Sequence, residues 1–211
     1  MAEFDPEMAT AREDLCRFLS ACYYEPDPAF AEERLFESMF DASGRISTEL
    51  AGSARKLGEA FTAQDTQTLL LDYTRLFLGP GQPLARPYGS YWLSGEATLM
   101  QESTMALMAL YLEAGFEVDE EIHEAPDYVA VELEFLYLLI FKRNEAQRAG
   151  YAEVLAAWQH LHGLFLGENL GAWVGRFAAA LRAGAQTAFY RELADLTERF
   201  VRLEASPASP H

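Results

Sequence analysis

An all-α fold is what this sequence predicts, and three observations carry it. Apolar residues recur with helical spacing almost everywhere along the 211 residues. Proline and glycine punctuate the ends of those periodic segments rather than their middles. No βαβ alternation, no strand–turn–strand spacing and no repeat of fixed period interrupts them. The expectation is a single globular bundle of about eight or nine helices over residues 1–204, with 205–211 a flexible C-terminal tail.

Taken in order, Leu15, Phe18, Leu19 and Cys22 form one stripe, and Pro26 stops the first helix. Shorter helices follow near 29–40 and 47–62. Leu69, Tyr73 and Leu76 continue the pattern up to Gly79-Pro80. Residues Ala97 to Ala114 are again helical, with Met100, Thr104, Leu107 and Tyr111 on one face and Gly115 as the natural C-cap. An acidic loop covers 116–125. Pro126 is placed to open the next helix, which is nearly all apolar, and Asp127 beside it suits the positive end of a helix dipole. Two helices span about 149–182, broken near Gly167-Glu168-Asn169. The last helix is the cleanest, with Phe189, Leu193, Leu196, Phe200 and Leu203 on one face.

Half of the residues are apolar and 23% are charged, values of a folded domain with one sizeable core. The net charge of −17 and pI near 4.5 exclude a general phosphate-backbone binder and disfavour docking on an anionic membrane. The same acidity either keeps the chain soluble or attracts a basic partner. The opening MAEFDPEMATARED lacks the features of a signal peptide, and no apolar run approaches the ~18–20 residues that span a bilayer. A cytoplasmic protein without stable membrane insertion is expected. Cys16 and Cys22 match no zinc spacing and read as buried thiols.

Motifs for catalysis are missing. His160 and His162 diverge by about 200° on a helix and do not easily share a metal. His211 lies in the tail. Glu120-x-x-His123 is half of a di-iron signature that needs a second copy and two more glutamates. HEAPD (123–127) is no zincin motif, GPGQPLAR is no P-loop, and no G-x-S-x-G occurs. No cofactor, metal or catalytic residue is predicted.

Three other features stand out. The stretch LFLGPGQPLARPYGSYWL (Leu76–Leu93) holds three prolines, three glycines, two tyrosines and a tryptophan, more than a connector needs. Either it presents Tyr88, Tyr91 and Trp92 as a rigid aromatic patch, or Trp92 plugs the core beneath it. In the helix after Pro126, Glu132 and Glu134 are the only charges before Lys142 and point about 200° apart. At least one therefore lies at a groove edge or near the interior. It either pairs locally at the helix border or lines a groove for a cationic guest. Finally, Glu113 to Asp127 holds seven acidic residues and no basic one, which is either a solvated loop or a receiver of arginines. Together these parts suggest a peptide-recognition surface for a segment that joins arginines to an apolar stretch, as a twin-arginine export signal does.

The segments YTRLFLGPG…PYGSYWL (Tyr73–Leu93), the Gly115 helix end, EAPDYVAVELEFLYLL (Glu124–Leu139) and TAFYRELADLTERFV (Thr187–Val201) resemble, in that order, the TorD/DmsD/NarJ family. These are cytoplasmic chaperones that mature molybdenum-cofactor oxidoreductases. The resemblance implies a TorD-like all-α fold and a non-enzymatic role. The protein would bind the twin-arginine signal peptide or apoprotein of a molybdopterin oxidoreductase, assist cofactor insertion and delay export. It also implies a signal-peptide site formed by Tyr73, Leu76, Phe77, Tyr88, Trp92, Glu124, Asp127 and Tyr128, to which the helix reading above adds Glu132. The family's Glu-Pro-x-Asp-His segment is Glu124-Ala125-Pro126-Asp127-Tyr128 here, so tyrosine replaces the histidine, and Gly81 stands where some members carry a large aromatic.

Other readings stay open: a NarJ-type assembly chaperone or acidic adaptor for a non-exported subunit, or a nucleotide-hydrolysing enzyme. The lack of a phosphate cradle opposes the last. A monomer and a domain-swapped dimer are equally compatible with the sequence.

Overall fold

A computed structural model describes residues 4–94, 102–117 and 124–206. Among them the regular structure is helical, apart from one isolated β-bridge. The helices are α1 (Pro6–Ala21), α2 (Ala29–Glu32), α3 (Leu35–Ile46), α4 (Thr48–Thr62), α5 (Thr66–Tyr73), α6 (Gly89–Ser94), α7 (Glu102–Ala114), α8 (Val129–Ala149), α9 (Ala152–Glu168), α10 (Leu170–Gly184) and α11 (Ala188–Ala205). A π-helical turn, Thr74–Leu78, prolongs α5.

Local chemistry sets the ends. Asp5 caps α1 by accepting from the amides of Glu7 (2.9 Å) and Met8 (3.2 Å), with Pro6 just inside. Ser47 caps α4 and Asp65 caps α5 in the same way. Gly79, Gly115 and Gly150 take positive φ where α5's extension, α7 and α8 stop. The break between α9 and α10 falls at Asn169, within the predicted stretch. The expected helix start at Ala97 and Met100, Glu120-x-x-His123, the middle of the acidic loop and the tail from residue 207, His211 included, lie outside the described residues.

α8 is the hub. It packs on α1 and α9, α11 packs on α10 and α4, and α3 joins α1 to α4. Burial of apolar side chains is the main stabilising force here. Trp173, Tyr23, Tyr190, Phe135, Phe165, Phe177, Phe189 and Phe200 are the largest fully buried residues. Cys16 and Cys22 are buried free thiols, and burial pushes Cys22 up to about 12.

One helix start differs from expectation. α8 begins at Val129, not at Pro126. Tyr128 is extended and pairs with Tyr88 in an antiparallel bridge, so the backbone of 126–128 is committed to the aromatic loop before the helix begins. Asp127 likewise does not serve α8; its Oδ2 accepts from the Ser90 amide at 2.9 Å, inside α6.

Candidate peptide-binding site

The aromatic loop is held on four sides. The Ala85 amide donates to the Leu76 carbonyl (2.9 Å), and Gly79 and Gly81 turn the chain with φ of 104° and 93°. The Trp92 indole donates to the Arg86 carbonyl (2.8 Å), and the Arg86 guanidinium stands 4.8 Å above the Tyr91 ring. Around the Tyr88–Tyr128 bridge, Gly89 donates to the Asp127 carbonyl and Val129 to the Pro87 carbonyl, each at 2.8 Å. A long insertion is thereby fixed to the start of α8.

The bridge gathers an aromatic cluster. The Tyr128 ring lies between Tyr24 (5.8 Å) and Tyr88 (5.7 Å). Its hydroxyl donates to the Tyr23 carbonyl and hydrogen-bonds with the Tyr73 hydroxyl. Glu124 sits among these rings, close enough to raise the pKa of Tyr24, Tyr73, Tyr88 and Tyr128, in each case after burial as the larger cause. The phenols therefore stay neutral donors. Glu124 is half-buried, and burial raises its own pKa. No described lysine or arginine pairs with it. Between Arg86 and Lys142 the sequence holds eleven acidic residues and neither lysine nor arginine. A half-buried carboxylate ringed by phenols, on a stretch free of basic residues, is built to accept a cation.

The candidate residues separate into two groups. Tyr73, Tyr88, Glu124 and Tyr128 come together. Leu76 and Phe77 lie beneath them, 0% and 4% exposed, with Phe77 edge-on to Tyr73 at 5.2 Å. Trp92 is half-buried and turns its edge toward Phe177 of α10, 6.4 Å away, so it both closes its own loop and covers the core. Asp127 and Glu132 are 2% and 1% exposed. Glu132 does not line a groove: it faces inward, where both its oxygens accept from the Trp173 indole at 3.1 and 3.3 Å. Glu134, one step away, faces outward and accepts from Ser20 Oγ at 3.0 Å. The two carboxylates thus meet different neighbours, Glu132 the Trp173 indole of α10 and Glu134 the Ser20 hydroxyl of α1.

Tyr24 and Glu25 join the cluster without having been singled out from the sequence. An aromatic pair running into acid and proline at a helix end, CYYEPDP (Cys22–Pro28), was the available signal for both.

Glu132 supports a prediction. Burial raises its pKa well above the ordinary value of 4.5, the Trp173 bond opposes this and nearby Asp127 adds to it. A carboxyl raised in the folded state binds its proton where the unfolded chain has lost it, so stability falls as pH rises above about 4.5. Glu132→Gln keeps an acceptor for Trp173 and carries no charge. It should raise stability at pH 7 by on the order of 1 kcal/mol, with the gain fading in acid. Thermal unfolding of both proteins across pH checks this; equal stability of the two at every pH would contradict it.

The family described as "Nitrate reductase delta subunit" matches residues 43–179, well over half of the chain. The chain belongs to this family, the TorD/DmsD/NarJ family. Among its relatives, the chaperone protein TorD of Vibrio parahaemolyticus is 28% identical over 138 residues, 65% of this chain. That match spans 63% of the relative's own length, just under two thirds. The Tat proofreading chaperone DmsD of Salmonella typhimurium is 26% identical over 181 residues, 85% of this chain and 82% of that protein. A redox enzyme maturation protein from Archaeoglobus fulgidus shares the fold with a TM-score of 0.58, covering 96% of this chain and 98% of that one at 22% identity.

Proposed function

We propose that this protein is a cytoplasmic maturation chaperone, not an enzyme, for a molybdopterin-dependent oxidoreductase. It binds the client's twin-arginine signal peptide, its apoprotein or both, assists cofactor insertion and delays export. The observation that carries this reading is Glu124, a half-buried carboxylate near four tyrosines with no described cation paired to it. Family membership and relatives named as chaperones support it. No described helix is long and apolar enough to cross a membrane.

In this reading Glu124, Tyr88 and Tyr24 meet the peptide. Tyr73 and Tyr128 hold their rings in place. Leu76, Phe77, Asp127 and Glu132 fix the floor and the loop, and Trp92 stiffens the loop. A guanidinium exchanges water for a carboxylate and aromatic faces, which Arg does at lower desolvation cost than Lys. Pre-ordering of the loop lowers the entropy lost on binding.

The test is calorimetric titration with the leader peptide of a neighbouring oxidoreductase gene, beside a control with both arginines changed to glutamine. Micromolar or tighter binding, weakened in the control and by salt, is the expected result. Equal binding of the two peptides would overturn the arginine reading. Binding of the apoenzyme body with no binding of either peptide would favour the NarJ-type alternative.

A further inference from the structure

We infer that the cleft between α1 and α8 is a second half of the peptide site, receiving about three extended residues in which an arginine adjoins apolar side chains. This rests on the peptide reading above and extends it to a region that reading does not use.

The two helices run antiparallel. Successive rungs pair Tyr24 with Tyr128, Ser20 with Glu134 and Arg17 with Tyr137. On the side away from α10 they diverge into a cleft of about 480 Å³. Arg17, Ser20 and Ala21, on one face of α1, and Tyr24, just past its end, form one wall. Glu134, Tyr137 and Leu138, on one face of α8, form the other, and Phe116 beyond α7 closes the side. From Arg17 to Ala21 is one helical turn, about 6 Å, and Tyr24 carries the wall past the helix end, a length that an extended chain covers in about three residues.

Two observations identify the occupant. The first is continuity: Tyr24 lines the cleft and also stacks beside Tyr128 in the Glu124 cluster, so a chain leaving that cluster enters the cleft directly. The second is charge. Glu134 is the cleft's one carboxylate, half-buried, with Ser20 Oγ as its hydrogen-bond donor and no described cation paired to it. A carboxylate has room for several donors, and a guanidinium supplies two at once. Arg17 does not neutralise it, standing instead 5.8 Å over the Tyr137 ring at the far end. Around Glu134 the walls are apolar or aromatic: Ala21, Tyr24, Phe116, Tyr137 and Leu138. The larger cleft on the other flank of α1, about 770 Å³, is more polar, holding Glu7, Asp14 and Asp41 together with Arg45, which pairs with Glu7 at 2.9 Å.

The experiment is calorimetry with two synthetic peptides. One carries two adjacent arginines followed by a leucine- and alanine-rich stretch; the other has that stretch replaced by serine. Ala21→Trp fills the cleft, and Glu134→Gln removes its charge while keeping an acceptor for Ser20. Ala21→Trp should weaken the leucine peptide about tenfold and the serine peptide by less, because the latter has only its arginine to seat in the cleft. Glu134→Gln should weaken both about tenfold and flatten the salt dependence. Unchanged melting curves establish folding, and Leu138→Ser serves in place of Ala21→Trp if that variant does not fold. Groove variants that bind the leucine peptide like wild type, while Glu124→Gln loses it, overturn the cleft and leave the tyrosine site standing. A wild-type protein that binds neither peptide overturns the peptide reading and the cleft with it.

Discussion

Glu204→Ala should lower the free energy of unfolding by about 3–5 kcal/mol. Glu204 of α11 is 6% exposed, yet it meets Arg12 at 2.5 Å, His162 at 3.5 Å and Arg143 at 3.7 Å. These come from α1, α9 and α8, so one carboxylate joins four helices. Removing it leaves two guanidinium groups largely cut off from water with no counter-charge, and that is costlier than the pairing itself is worth. Urea unfolding monitored by circular dichroism measures the loss; a change below about 1 kcal/mol would mean that water already satisfies the arginines. The pH dependence is a second readout. Burial alone would raise the Glu204 pKa, but the His162 hydrogen bond and the two arginines outweigh it and hold it below 4.5. A depressed carboxyl contributes stability above the unfolded pKa and loses it as pH falls through the folded one. The wild type should therefore lose this contribution below about pH 4.5, and the alanine variant has none to lose.

The second large effect is expected at Gly89. A β-carbon there would lie 2.7 Å from Glu132 Oε1 and 2.8 Å from Trp173 Nε1. Both side chains are buried, Trp173 completely, and they bond to each other, so neither can swing aside. Gly89→Ala must displace that pair or lift the loop from α8, at a cost of about 3 kcal/mol. The loss should reach the peptide site, because Gly89 also donates to the Asp127 carbonyl beside the Tyr88–Tyr128 bridge. Weaker peptide binding together with a lower Tm is the expected outcome. A variant with wild-type Tm and affinity would show that the loop shifts without penalty.

The helices were legible because apolar periodicity is a local property. The stripe of α11 and the break at Asn169 needed no knowledge of partners. The start of α8 was not legible in that way. Pro126 and Asp127 look like a helix opening, but the backbone there is paired to Pro87–Ser90, a contact that no local pattern announces. The two glutamates show the same limit. Spacing showed that Glu132 and Glu134 face apart; only the position of α10 and Trp173 shows which one is interior. In the candidate site, Tyr73, Tyr88, Glu124 and Tyr128 converge, while Tyr24 enters through the packing of α1 on α8.

The Tyr88–Tyr128 bridge has a kinetic consequence. Because it joins the loop to α8 in the free protein, peptide binding at Glu124, as proposed above, would require no prior folding of that loop. The slow step of capture then moves from the protein to the diffusing peptide. A cationic segment approaching the stretch between Arg86 and Lys142, where every charged side chain is acidic, is drawn in by long-range attraction. A client with such a segment would be met quickly, and how long it is held would then be set by the rate of escape alone.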